Sequence, residues 1–176
     1  IATLASNERD QPPFVSAPVP PAESERWQAL EAATRQAIAR GRRDEAYRDA
    51  AALVRVHDSS ADAWYLLGQV AEADRRSEEA RHAYLAAKDR DMLRFRAPES
   101  FNDIIRTSAH ETGATVVDVQ SALAGAATGG IIGNDLMLEH LHPNLAGYFL
   151  LSDAFYAAMM AANIRSTALP PAMAAC

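Results

Sequence analysis

Glu139 stands three residues ahead of His142, and His142 is followed at once by Pro143 and Asn144 and then by an apolar helical pattern. That pairing has a chemical use. A neutral imidazole accepts a proton from a hydroxyl only when its other nitrogen is held in the right tautomer. A neighbouring carboxylate does this while stabilising the imidazolium that forms. Pro143 bars the preceding residue from helical angles, so the ring is expected on a turn just before a helix. Two plainer readings use the same residues. An acid and a histidine at this spacing are common on surface turns. Glu139, His140 and His142 also offer three metal donors, because a His-x-His pair in extended geometry points both rings one way. With no second cluster in the chain to complete the set, neither a metal nor another cofactor is expected.

The run from Glu139 to Tyr148, acid-x-x-His-Pro-Asn-x-x-Gly-Tyr, resembles the last sequence block of the SGNH (GDSL-type) hydrolases. The resemblance implies a Ser-His-acid triad in which His142 is the general base and Glu139 its orienter. The family usually has Asp at that position, and a longer carboxylate can orient the ring in the same way. It also implies an α/β fold, part of a parallel-sheet, three-layer flavodoxin-like sandwich, here interrupted by an inserted all-helical segment. A second stretch, Thr3 to Phe14, looks like a loop of family members that carry helical repeats, with Ser6 and Asn7 able to face a substrate. Turn chemistry is the alternative for both residues. Arg94 and Arg96 could reach an anionic substrate group through a guanidinium contact, or pair with surface carboxylates. The implied reaction is hydrolysis of an ester, such as an acyl group on a carbohydrate or lipid.

The nucleophile is not in view. No Gly-Asp-Ser precedes a helix and no Gly-x-Ser-x-Gly elbow is present. Gly133-Asn134-Asp135 falls in the wrong place for an oxyanion block and reads as a turn. In the family the serine lies ahead of where this chain begins. The first residue is Ile1 within a strand-like stretch, so the chain is expected to be the carboxyl half of a longer hydrolase, inactive alone and partnered by its upstream half. The rival expectation is a non-catalytic module whose helical repeats bind a protein partner.

Stepping outward, 176 residues suit one medium domain with an appendage. A net charge of −6 argues against a nucleic-acid partner. No apolar run approaches the ~18–20 residues of a membrane span. Cys176, the single cysteine, allows no internal disulfide and leaves the compartment open.

The elements divide the chain into four. Residues 1–21 read as a strand and loop, with Ile1 to Ala5 apolar and five prolines between Pro12 and Pro21. Residues 22–91 read as four helices. Trp64, Leu67, Gly68, Ala80, Tyr84 and Ala87 match the offsets of a tetratricopeptide pair, and Ala46, Ala50 and Leu53 look like a degenerate copy one repeat earlier. Two pairs are fewer than a free-standing solenoid needs, so they should pack on another part. Residues 92–164 read as helix, short apolar strand (Thr115 to Val119), helix, the His142 turn and a long helix. In these, Phe101, Ile104, Ile105 and Ala109, and then Leu145, Tyr148, Phe149, Ser152, Phe155, Tyr156 and Met159, are the expected inward faces. Asp118 reads either as a site residue at a strand end or as a cap for the following turn. Residues 165–176 read as a frayed tail.

Overall fold

Small residues let helices approach closely, and four alanine-rich helices follow the first twenty residues. The computed structural model describes residues 1–163. In it α1 (Pro21–Ala39), α2 (Arg43–Val56), α3 (Ala61–Ala73) and α4 (Ser77–Arg90) each pack on the next. Pro21 opens α1, where its missing N–H leaves no bond unmade. Gly41, at φ +68°, supplies the left-handed residue between α1 and α2. The Ser60 hydroxyl caps α3 by accepting from the Ala63 N–H at 3.2 Å. On α2 Ala46, Ala50 and Leu53, the positions matching the repeat, are buried together with Val54. On α1 Thr34 is buried and Trp27 and Leu30 are partly covered, whereas Ile38 is exposed.

At Gly68 the Tyr84 ring of α4 packs directly on the backbone of α3. A Cβ built there would stand 2.8 Å from Cδ1 of Tyr84, a fully buried ring whose hydroxyl donates to Glu72 at 2.8 Å. Tyr84 is therefore wedged against a backbone with no side chain.

The second half holds α5 (Glu99–Thr112), α6 (Val119–Ala126), a 3₁₀ turn (Thr128–Gly130) and α7 (Leu145–Ala161). Its core joins Val117, Val119, Leu123, Ile132, Leu136 and Met137 to Leu150, Leu151, Ala154 and Ala158 of α7.

The expected parallel-sheet sandwich is not there. Among the described residues 63% are helical and 2% are strand, with no sheet. The two predicted strands do meet in parallel, but through one isolated bridge, Ala2 with Val117. The pairing stops for local reasons. Asp118 turns the chain straight into α6 by accepting from the Ser121 N–H, so the second strand ends one residue after its bridge. On the other edge the Asn102 side chain takes both backbone groups of Leu4, at 2.7 and 3.0 Å. Asp118 is thus a cap, also bonded by the Thr3 hydroxyl at 3.0 Å.

Two helix faces also differ from expectation. In α5 the buried residues include Asn102 and Ala109, while Phe101 and Ile104 are exposed. In α7 the inward residues are Gly147, Leu150, Leu151, Ala154 and Ala158. Leu145, Tyr148, Phe149, Tyr156 and Met159 face outward, with Leu145 at 75% exposure. A helix apolar all round carries no periodic signal to choose its buried side. The tail from 165, read as frayed, lies outside the described residues.

A polar cluster ties the halves together. Lys88, buried in the last turn of α4, pairs with Glu99 at the start of α5. Glu99 also accepts from Gln120 at 2.8 Å, and Gln120 from Asn102 at 3.1 Å. Beside them Glu8 is 1% exposed, and its Oε2 has no hydrogen-bond partner. Burial pushes its carboxyl up to about 7, against the pull of Lys88 and Arg81.

Two outcomes follow from these contacts. Gly68→Ala should lower stability by ~1–3 kcal/mol, the usual cost of overpacking, read as a fall of several degrees in the thermal midpoint. For Glu8 the sign runs with its raised value: its contribution is complete below about 4.5, where both states are neutral, and is lost as pH rises through about 7. Glu8→Gln should therefore gain on the wild type between pH 5 and 8, by on the order of 2 kcal/mol, in denaturant melts at the two pH values.

Candidate active site

The turn bearing His142 is a closed loop. Met137 and Pro143 form an antiparallel bridge, and the Leu138 N–H donates to the His142 carbonyl at 2.8 Å. Asn144 then starts α7 as its cap, its Oδ1 accepting from the Gly147 N–H at 3.1 Å. Gly147 is required there: a Cβ would collide with the Leu136 carbonyl and approach the Pro143 ring to 2.9 Å. The loop is therefore pinned to the first turn of α7.

Inside the loop four donors converge on Glu139. Its Oε1 lies 2.5 Å from His142 Nδ1, and accepts from the backbone N–H groups of His142 at 2.7 Å and Leu141 at 3.2 Å. Its Oε2 accepts from the His140 N–H at 2.7 Å. The backbone N–H of His142, foremost among these donors, holds the carboxyl down at about 2 despite some desolvation. An ionised Glu139 acts only as an acceptor, so in the neutral ring the proton sits on Nδ1 and the lone pair on Nε2. The His142 side chain is 69% exposed. A hydroxyl brought to the loop can reach it.

His140 has a different setting. Its ring stacks on Phe14 with centroids 4.3 Å apart and meets Phe95 edge-on at 5.8 Å. Desolvation, helped by Arg96, lowers its pKa, favouring the neutral ring. Its Nδ1 is 3.8 Å from Glu139 Oε2, beyond hydrogen-bond range. Among the described residues no group of three or more His, Cys, Asp or Glu is arranged to hold a metal ion.

Asn7 and Arg96 are scaffold for this loop. Asn7 is fully buried: its N–H donates to the His140 carbonyl at 2.9 Å and its Nδ2 to Asn134 Oδ1 at 2.8 Å. Arg96, 3% exposed, donates to the carbonyls of Asn7 and Gln11 at 2.8 and 2.9 Å and lies 3.7 Å from Asp91. Neither guanidinium nor amide faces outward as a substrate contact would. Arg94 donates to the Asp89 carbonyl and lines a groove with Asp58, Ser59 and Met92 that includes no residue of the 139–142 loop. Ser6, in contrast, lines a cavity of about 310 Å³ together with Leu141, the residue next to His142.

Several residues that matter here carry no signal in the sequence. Phe14 and Phe95 clamp His140, yet lie 126 and 45 positions from it in a proline-rich connector and an arginine-rich link. Arg9 bridges Glu72 and Asp135, both at 3.3 Å, and joins the helical hairpins to the 133–135 turn. That turn is structural, as read: Asp135 accepts from the Thr128 and Gly133 N–H groups. A larger hollow of about 490 Å³ opens between α1, α2 and α3, but its lining has no carboxylate or imidazole.

Comparison with protein-family models, with curated proteins and with solved structures finds no match. The chemistry of the site rests on its own geometry.

The depressed Glu139 carboxyl sets a pH window. Its bonds contribute fully above about 4.5 and are lost as pH falls toward about 2. Carboxyl-carbon NMR should give a Glu139 midpoint near 2, and the amide signals of His140, Leu141 and His142 should move with it. A midpoint above 4 would mean that the carboxylate is not caged as described.

Proposed function

We propose that this chain carries the general base, His142, and the orienting carboxylate, Glu139, of a serine ester hydrolase of the SGNH type. The nucleophilic hydroxyl comes from a segment outside the described residues. The observation that carries this reading is the 2.5 Å contact between Glu139 Oε1 and His142 Nδ1 beside an exposed ring. The acid-x-x-His-Pro-Asn order of the same residues supports it. Ester substrates are the class, with acylated carbohydrates or lipids as the natural members.

In this mechanism Nε2 takes the proton of the serine hydroxyl as its oxygen attacks the ester carbonyl. The imidazolium that forms keeps its Nδ1–H on Glu139. It then returns a proton to the departing alkoxide, and water repeats the sequence on the acyl-enzyme.

A second reading keeps the chain as a non-catalytic interaction module. Its support is the outward apolar face of α7, where Phe149 is 64% and Tyr156 66% exposed. Among the described residues no helix is long and apolar enough to cross a membrane.

The test uses the protein that contains this chain with its upstream segment. A serine-directed fluorophosphonate should label it. His142→Ala should lower ester turnover by about 10²- to 10⁴-fold while leaving the thermal midpoint in place. A loss of only a few-fold, or no labelling, removes the enzyme and leaves the module.

A further inference from the structure

The cavity beside the His142 loop is built from four separated stretches of chain. Leu4 and Ser6 come from the first segment, Lys88 from the last turn of α4, Phe95 and Ala97 from the link to α5, and Leu141 from the loop itself. Its volume, about 310 Å³, is at the small end of ligand sites and admits roughly ten non-hydrogen atoms. Most of its lining residues are apolar, and two carry polar side chains, Ser6 and Lys88, only 5% and 4% exposed.

Those groups restrict the ligand. An ammonium has three donors, and Glu99 takes one of them. A plain alkyl chain filling the cavity would offer the Ser6 hydroxyl no partner. A carboxylate would meet Glu99, which already balances the Lys88 charge, and Glu8 nearby. A neutral oxygen suits the site: it accepts from Ser6 or Lys88 and adds no charge.

We propose that this cavity binds the acyl group of a short ester bearing a hydroxyl or keto oxygen on its chain. The proposal rests on the ester-hydrolase reading for the placement of the scissile bond near His142. It also gives the helical hairpins a part in recognition, since α4 supplies Lys88.

Binding tests it without turnover. Ethyl 3-hydroxybutyrate and ethyl butyrate are titrated into the isotope-labelled chain, and amide shifts are followed. The hydroxy ester should move the signals of Ser6, Phe95 and Leu141 and bind roughly three- to ten-fold tighter than ethyl butyrate, the worth of one hydrogen bond. Ser6→Ala should narrow that preference, and Ala97→Trp, which fills the space, should abolish binding of both. If Ala97→Trp does not fold, Ser6→Ala decides alone. Equal affinities in the wild type, or shifts centred elsewhere, overturn the proposal. Hydroxy-ester binding in a protein that the fluorophosphonate does not label would sink the hydrolase and leave the pocket standing.

Discussion

The buried guanidinium of Arg96 is the constraint on which the 139–142 loop depends. A proline-rich connector makes no helix or sheet, so its backbone carbonyls need partners from elsewhere. Arg96 meets three of them, on Asn7, Gln11 and Pro12. Its charge is answered by Asp91, which in turn accepts from the Phe14 and Val15 N–H groups at 2.8 and 3.0 Å. One ion pair thus shapes both ends of the connector. Burial lowers the Arg96 pKa, but a guanidinium remains charged in a protein, and so the pair cannot escape its cost by neutralising. The return is positional: with the connector fixed, Asn7 holds the His140 carbonyl and Phe14 covers the His140 ring.

The same arrangement explains why the helical hairpins are not a detached appendage. Tyr65 on α3 donates to the Arg9 carbonyl at 2.7 Å, Glu72 receives the Arg9 guanidinium, and Lys88 reaches Glu99. Each bond ties one of these helices to the N-terminal connector or to α5. Surface ion pairs alone contribute little. The Lys88 ammonium is a different case, because it is withdrawn from water and would be uncompensated without Glu99. The hairpins and the His142 loop therefore share one polar seam.

What was legible in the sequence divides along the line between local and distant contacts. The α2 interior could be read residue by residue, because Ala46, Ala50, Leu53 and Val54 recur at helical spacing on an otherwise polar helix. The Glu139–His142 contact was legible for the same reason, spanning three residues. The α7 face was not, since Leu150 and Leu151 look no different in sequence from Leu145 and Phe149. The strands at Ile1 and Val117 were found as extended stretches, but a sheet needs edges that continue, and Asn102 and Asp118 close those edges with side chains. Phe14, Phe95 and Arg9 act across dozens of residues, where no spacing rule operates.

The choice of Glu over Asp at position 139 has a geometric consequence. A loop that closes between Leu138 and His142 points three successive N–H groups, from His140 to His142, toward its own centre. The longer side chain folds back far enough to fill that centre with both oxygens and still present Oε1 to the ring. The carboxylate so caged is ionised at any physiological pH and fixed in direction. Yet the ring it orients stands mostly in water, where the attraction between imidazolium and carboxylate is weak. Orientation is therefore what the pair supplies on its own.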